Sequence, residues 1–225
     1  MKKHYVEDKT LKFDRKHIQS YLSLYLVSDR YWLAGRELKD DIRKAIEGGV
    51  RFVQIREKEL SQDEFVQEAF SIKDVCAQYD SPFVVNDDIE VAKLVDADGV
   101  HVGQSDESAK KARRILGEDK IIGVSVQSVE DALQAQEDGA DYLGVGAMFS
   151  TNTKKDADDV SLETLRSICE AVSIPVVAIG GISEKNIAQL KSSGIKGVAI
   201  VSAIMASENI YQASKSLHSM VDAIL

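Results

Sequence analysis

The sequence predicts an α/β protein, and within that class a closed barrel of eight parallel strands, each followed by a helix. Eight short runs rich in aliphatic and β-branched residues alternate with segments of helical periodicity along the 225-residue chain. The strand runs are almost continuously apolar, which is typical of parallel strands that helices cover. Eight such units close naturally into a (β/α)8 TIM barrel. A doubly wound open sheet is less favoured because no GxGxxG motif follows the first strand.

The predicted strands are apolar runs bounded by polar residues or glycine. The chain contains only two prolines, Pro82 and Pro175, and each opens a strand, where a missing N–H is tolerated. The runs are 23–29, 50–57, 82–87, 99–103, 120–126, 142–149, 175–181 and 196–202.

The predicted helices are marked by serine at their starts and glycine at their ends. Ser61 and Glu64 have the spacing of a capping box. Serines also occupy N-cap positions at 105, 128, 161 and 183. The helical segments are 37–48, 61–79, 88–96, 105–116, 128–138, 161–172, 183–193 and 208–225. Residues 1–20 are expected to form a short N-terminal extension that packs on the barrel, and residues 21–225 a single barrel domain.

Composition restricts the class of function. The net charge of −9 argues against binding to nucleic acid or anionic membranes, because a basic footprint is missing. Cys76 and Cys169 are far apart and have no metal-site or disulfide spacing, so buried free thiols are expected. The first twenty residues lack the apolar core of a secretory signal, and no apolar run is long enough to span a bilayer. We therefore expect a cytoplasmic enzyme or binding protein.

Polar residues and glycines cluster in the last positions of the predicted strand runs and directly after them. In a barrel of parallel strands these positions share one face, where chemistry takes place. The residues at or after the strand ends are Gln54, Arg56, Glu57, Lys58, Asn86, Asp87, Asp88, Gln104, Asp106, Ser125, the segment 150–156, Gly180, Gly181, Ser202 and Ala203.

The basic residues and glycines of this set have two interpretations. Gly180 and Gly181 either form a tight turn or let backbone N–H groups bind phosphate, as loops after the seventh and eighth strands of such barrels do. Arg56 and Lys58 either form rim ion pairs with Glu57 or Glu59, or project to the same side and clamp phosphate oxygens. The segment 150–156 is either a solvated loop or an anion contact through its lysines and hydroxyls.

The acidic residues also have two interpretations. Asp87 and Asp106 either stabilise the N-termini of the helices that follow them or hold Mg²⁺ between them. The helix-start interpretation is strongest for Asp88. His101 lies inside a strand, where a packed and hydrogen-bonded histidine is favoured over a catalytic one. The sequence shows no Ser/His/Asp or Cys/His arrangement.

Taken together and in this order, several segments resemble the thiamine-phosphate synthase (thiamine-phosphate pyrophosphorylase) family. The resemblance extends from about Tyr25 to Met205. The segments are YLVSD, VQIREK, VNDD, ADGVHVGQSD, IIGVSV, DYLGVGAMFSTNTKKD, VVAIGGI and VAIVSAI.

The resemblance implies a set of site residues. It implies that Asp87 and Asp106 bind Mg²⁺. The residues implied to bind the pyrimidine diphosphate are Gln54, Ile55, Arg56, Glu57, Lys58, Asn86, Ser125 and Lys154. Those implied to bind the thiazole phosphate are Thr151, Asn152, Thr153, Gly181, Val201 and Ser202. Those implied to act catalytically are Arg56, Lys58, Lys154 and Ser125.

The resemblance also implies a reaction and its partners. The family joins 4-amino-2-methyl-5-hydroxymethylpyrimidine diphosphate to a (carboxy)thiazole phosphate and releases pyrophosphate. A related thiazole tautomerase and a non-catalytic binder of thiamine phosphates are the alternatives. The expected partners are these small molecules, with no nucleic acid and no membrane, and the sequence leaves a homo-oligomer open.

Overall fold

Eight parallel strands form a closed barrel in which each strand pairs with its neighbours in chain order and β8 pairs with β1. The computed structural model describes residues 15–103, 109–150 and 160–225. The predicted (β/α)8 barrel is confirmed, and each strand is shorter than its apolar run because the run includes loop residues. The strands are β1 Leu24–Val27, β2 Phe52–Ile55, β3 Phe83–Asn86, β4 Gly99–Val102, β5 Ile121–Val126, β6 Tyr142–Val145, β7 Val176–Ile179 and β8 Gly197–Ile200.

Helices follow the strands, and most of the predicted ones are confirmed. Ser61 and Glu64 form the predicted capping box, and Ser128 and Ser161 cap their helices. Ser105 lies outside the described residues. The α-helices are α1 Leu38–Glu47, α2 Gln62–Gln78, α3 Ile89–Leu94, α4 Ala109–Leu116, α5 Val129–Glu137, α6 Leu162–Ala171, α7 Ser202–Met205 and α8 Ile210–Ile224.

The prediction of a helix over residues 183–193 is wrong. That segment contains only a four-residue 3-10 helix, Ile187–Leu190. The Asn186 side chain accepts a hydrogen bond from the Ser183 N–H, which holds the preceding residues in a turn. Ser192 then adopts a left-handed backbone with φ of 60°, which ends the helical segment. A short helix that the sequence did not predict, α7, follows β8 directly.

Successive strand residues alternate between two apolar cores, as the period of a strand requires. Leu24 and Leu26 face outward and pack with helix residues such as Ile42. Tyr25 and Val27 face the barrel interior. The other members of the interior cluster are Ile18, Leu22, Phe52, Val84, Ile121, Tyr142, Val177 and Ala199.

The described part of the N-terminal extension contributes to the interior cluster. Residues Arg15–Ser20 form a 3-10 helix. Ile18 and Leu22 are buried against the inner residues of the strands. Packing of the whole segment 1–20 stays a prediction, because residues 1–14 lie outside the described residues.

Both cysteines are free thiols, as the sequence predicted. Cys76 is buried, and burial raises the pKa of its thiol well above the ordinary value. Cys169 is half-buried, and burial raises its pKa to about 11. In the part of the chain that the structure describes, no helix is both long and apolar enough to cross a membrane.

Candidate functional site

Three of the predicted site residues meet where β2 and β3 end. Lys58 Nζ donates to Asp87 Oδ2 at 2.8 Å, and Asn86 Nδ2 donates to the same oxygen at 2.6 Å. The Asp87 side chain keeps 26% of its surface exposed. Burial opposes ionisation of this carboxyl, but Lys58 and Asn86 outweigh it and lower the Asp87 pKa below the ordinary value. Asp87 is therefore an ionised and accessible carboxylate at neutral pH.

The backbone explains why neighbouring acids point in different directions. Asp87 has a left-handed φ of 64°, and its N–H donates to the carbonyl of His101 on β4 at 2.8 Å. Aspartate is among the few residues that adopt this conformation readily. Asp88 instead caps α3, because its Oδ1 accepts from the Val91 N–H at 2.8 Å. The helix-start interpretation of Asp88 is confirmed.

Arg56 contacts the two residues that follow β1, Ser28 and Asp29. Its N–H donates to Ser28 Oγ at 3.0 Å, and its Nη1 lies 3.3 Å from Asp29 Oδ2. Arg56 and Lys58 thus contact carboxylates on opposite sides of β2, and neither forms its ion pair with Glu57 or Glu59 as the alternative interpretation expected. The expectation that both side chains project to one side fails because β2 ends at Ile55 and the chain bends after it.

The Glu57 carboxylate supports the loop that carries Lys58. Its Oε2 accepts from Arg30 Nε at 2.8 Å, and its Oε1 accepts from the backbone N–H groups of Lys58 and Glu59 at 2.7 and 2.8 Å. Arg30 also contacts Glu68 on α2 at 2.6 Å. Burial opposes ionisation of Glu57, but the donors outweigh it and lower its pKa. With only 4% of its side chain exposed, Glu57 holds the loop in place.

Ile55 was also predicted to contact substrate. Its side chain is fully buried in the outer core between the sheet and the helices. Only its backbone is therefore available to a ligand in the barrel mouth.

A continuous chain of hydrogen bonds crosses the barrel interior between two predicted site residues, Gln54 and Ser125. Gln54 Nε2 donates to the Tyr25 hydroxyl, which lies 2.8 Å from the Tyr142 hydroxyl. The Tyr142 hydroxyl lies 2.9 Å from His101 Nδ1, and His101 Nε2 lies 2.9 Å from Ser125 Oγ. The expectation that His101 is packed and hydrogen-bonded is confirmed. Burial raises the pKa of both tyrosines, which are neutral at physiological pH.

Gly123 leaves the space that this chain of hydrogen bonds needs. His101, Gly123 and Tyr142 are register partners on β4, β5 and β6. A Cβ at Gly123 would overlap the Tyr142 hydroxyl and His101 Nδ1. Because Gly123 has no side chain, His101 and Tyr142 meet across β5. A Cβ at Gly144 would lie 3.2 Å from His101 Cε1, which is a milder conflict.

The glycine pair after β7 adopts a backbone that other residues rarely adopt. Gly180 and Gly181 have φ of 98° and 63°. A Cβ at Gly181 would collide with the carbonyls of Phe149 and Ser150. Asn186 Nδ2 donates to the Gly181 carbonyl at 2.9 Å and closes the turn.

The remaining predicted residues on this side follow β8. Val201 packs against the interior cluster, and Ser202 begins α7. Their binding role stays a prediction, as does that of Gly181.

Five predicted site residues lie outside the described residues. They are Asp106, Thr151, Asn152, Thr153 and Lys154. Among the described residues no group of three or more histidine, cysteine, aspartate or glutamate side chains could hold a metal ion. Mg²⁺ prefers one or two carboxylates plus water and phosphate oxygens, so a single carboxylate is sufficient on the protein side. Asp87 fits this preference because it is ionised and accessible.

Sequence reasoning missed four residues that shape the site, which are Tyr25, Tyr142, Arg30 and Asn186. The two tyrosines had a usable signal. Period-two alternation in LYLV and YLGV places them on the same face as Gln54 and Ser125. Arg30 begins a three-residue 3-10 helix and Asn186 directly precedes the 3-10 helix Ile187–Leu190, and such short segments have no periodicity that indicates a residue's partners.

The comparisons with known proteins agree with one another. A family model described as thiamine monophosphate synthase matches residues 24–204. The chain is 51% identical over 195 residues to a thiamine-phosphate synthase of Clostridium tetani, a match that covers 87% of this chain and 93% of the relative. It is 52% identical over 198 residues to a thiamine-phosphate synthase of Alkaliphilus oremlandii, which covers 88% and 95% of the two chains.

A solved structure is also similar. It is described as a thiamine phosphate pyrophosphorylase from Pyrococcus furiosus, with a TM-score of 0.86 and 38% identity. The match covers 92% of this chain and 99% of that one.

Proposed function

Since the chain belongs to the thiamine monophosphate synthase family, we propose that it joins hydroxymethylpyrimidine diphosphate to a thiazole phosphate, giving thiamine phosphate and pyrophosphate. The observation that carries this proposal is the contact of Lys58 and Asn86 with Asp87 at the barrel mouth. It brings a cation, an amide and an ionised carboxylate together, as a diphosphate with its counter-ion requires.

Arg56 and Lys58 are proposed to bind the diphosphate. Both are paired with carboxylates, Asp29 and Asp87, and phosphate oxygens can accept charge-assisted hydrogen bonds from the same donors. Negative charge builds up on the diphosphate as it leaves, and fixed cations stabilise that charge in the transition state. Lys154, outside the described residues, is proposed as a further cation.

Asp87, with Asp106, is proposed to hold Mg²⁺. When bound, Mg²⁺ would neutralise diphosphate oxygens and make pyrophosphate a better leaving group. Asp87 is suited to this role because Lys58 keeps its pKa low against the effect of burial. Its backbone bond to the His101 carbonyl fixes where the carboxylate lies.

Gln54, Asn86 and Ser125 are proposed to bind and orient the pyrimidine. In the proposed reaction the bond between the pyrimidine methylene carbon and the diphosphate oxygen breaks, and its electron pair leaves with pyrophosphate. The ring amino group stabilises the resulting cation, and the lone pair of the thiazole nitrogen forms the new C–N bond. No protein nucleophile is required, so the residues act by position and charge.

Gly181, Val201 and Ser202 are proposed to bind the thiazole phosphate, together with Thr151, Asn152 and Thr153. The left-handed glycine exposes backbone N–H groups that a bulkier residue would shield. A cytoplasmic location is part of the proposal, since both cysteines are free thiols, as a reducing compartment favours.

A turnover assay tests the proposed function. Protein, Mg²⁺ and both substrates should give equal amounts of thiamine phosphate and pyrophosphate, and omission of either substrate should abolish thiamine phosphate. Binding of thiamine phosphate without turnover would identify a non-catalytic binder. Isomerisation of a carboxythiazole phosphate without consumption of the pyrimidine would identify the tautomerase.

A further inference from the structure

The hydrogen-bonded chain in the barrel interior links two proposed pyrimidine-binding residues through three side chains to which the reaction assigns no role. We propose that Tyr25, Tyr142 and His101 are positioning residues, which fix the orientations of Gln54 and Ser125 on opposite sides of the pyrimidine. This inference rests on the proposed function and assigns it three further residues.

The polar side chains of this hydrogen-bonded chain are unusual for the interior of a barrel. Interiors of such barrels are filled mainly by branched apolar side chains. Here Tyr25, Gln54, Tyr142 and His101 are all buried, with 1%, 3%, 0% and 7% of their surface exposed. Burial of polar groups is unfavourable unless each finds a partner, and each of the two tyrosine hydroxyls has two. The strand register even requires glycine at position 123 to accommodate it.

The hydrogen bonds all run in one donor-to-acceptor direction, which the Gln54 Nε2 donor sets. Each tyrosine hydroxyl carries one proton, so a hydroxyl that accepts from one neighbour donates to the other. Gln54 Nε2 donates to Tyr25, so Tyr25 donates to Tyr142 and Tyr142 donates to His101 Nδ1. A neutral His101 then donates from Nε2 to Ser125 Oγ.

This direction determines what the two ends present to a ligand. The Ser125 hydroxyl proton remains for an acceptor outside the chain, and Gln54 Oε1 remains for a donor. A pyrimidine that carries an amino group and ring nitrogens offers both kinds of partner. Loss of a middle member would release both ends, because their rotamers would no longer be fixed.

A double-mutant cycle tests the proposal. Tyr142→Phe should lower kcat/KM for the pyrimidine diphosphate by about tenfold in the wild-type background. When Ser125 is already alanine only the Gln54 end remains to be released, so the factor should fall to about threefold. A purely structural loss would lower activity by the same factor in both backgrounds, and that result would overturn the proposal. Tyr79→Phe is the matched control, since it removes a hydroxyl bonded at 2.7 Å to Glu47 on the surface and should leave kcat/KM unchanged.

Two substitutions of His101 give a second test if Tyr142→Phe does not fold. Glutamine places its amide nitrogen near the Nε2 position and keeps a donor to Ser125, whereas asparagine reaches only the Nδ1 position. His101→Gln should therefore retain at least about fivefold more kcat/KM than His101→Asn, since a single hydrogen bond contributes about 1 kcal/mol. Equal losses would overturn the proposal.

The result for the wild-type protein separates this inference from the proposed function. A wild-type protein without turnover rejects the proposed function, and the inference is rejected with it. If the wild-type protein is active but the effects of Tyr142→Phe and Ser125→Ala on kcat/KM are additive, only the positioning role is rejected.

Discussion

Lys58 Nζ lies 2.8 Å from Asp87 Oδ2 and joins the ends of β2 and β3 across the mouth of the barrel. The pair gives each residue a fixed partner before any ligand binds. A diphosphate and a divalent cation are the ligands that such a pair can divide between them, with phosphate oxygens on the lysine and the metal on the carboxylate. The first two predictions test each member of this pair.

Substitution of Asp87 by asparagine should weaken the response to Mg²⁺. Asparagine tolerates the left-handed φ of 64°, so the fold should be retained. The Mg²⁺ concentration for half-maximal activity should rise at least about tenfold, the lower end of what even outer-shell partners of a metal ligand contribute. Mg²⁺ titrations of initial rate measure this.

Asp88→Asn is the matched control, because it removes the same charge one residue away and asparagine caps helices as well as aspartate. Equal Mg²⁺ responses of the two variants would show that Asp87 is not a metal ligand.

Replacement of Lys58 by glutamine should raise KM for the pyrimidine diphosphate and leave KM for the thiazole phosphate nearly unchanged. A charge-assisted hydrogen bond contributes about 1.5–3 kcal/mol, so the rise should be about tenfold to a hundredfold. Lys44→Gln, on the exposed side of α1, provides the charge-matched control. An equal rise of both KM values would contradict the assignment of Lys58 to the diphosphate.

Glu57 should stabilise the fold in a pH-dependent way. Its pKa in the folded protein is lower than the ordinary value of 4.5, so its contribution is complete above that pH and is lost as pH falls through the folded pKa. Glu57→Gln should lower the free energy of unfolding by about 1–3 kcal/mol at neutral pH, since Arg30 loses a buried carboxylate. Urea unfolding at several pH values measures the difference, which should shrink below pH 4.5.

Glu59→Gln, an exposed neighbour, should change stability little at any pH. A stability loss in Glu57→Gln that stays constant into acid would mean that its carboxylate charge is not the cause.

Substitution of Gly123 by alanine should disrupt the hydrogen-bonded chain in the barrel interior more than substitution of Gly144 by alanine. The new Cβ at 123 would overlap both Tyr142 and His101, whereas at 144 the nearest atom would lie 3.2 Å away. Overpacking of this kind destabilises by about 1–3 kcal/mol, and Gly123→Ala should be at the upper end. Thermal unfolding and kcat/KM should both rank the variants in this order, and the reverse order would contradict the described packing.

The barrel itself was predictable because its signals are local. Eight apolar runs and the capping box of Ser61 and Glu64 can be seen in single windows of sequence. The failure over residues 183–193 is also local in origin. Asn186 uses its side chain to hold a turn, and the apolar pattern contains no sign of that competing hydrogen bond.

The contacts within the site depend on barrel closure, and local pattern could not predict them. Tyr25 and Tyr142 are 117 positions apart and meet only because the interior closes around them. The pairing of Lys58 with Asp87 depends on the bend after β2 and on the left-handed backbone after β3. The resemblance named most of the mouth residues, yet it did not indicate that Glu57 supports a loop through Arg30.

The most direct test of the central claim is a crystal structure of the protein with Mg²⁺ and pyrophosphate. Mg²⁺ should bind the Asp87 carboxylate, and pyrophosphate oxygens should contact the Arg56 guanidinium and the Lys58 ammonium. Pyrophosphate bound only beside Gly180 and Gly181, with the Lys58–Asp87 pair intact and no metal on Asp87, would contradict the account.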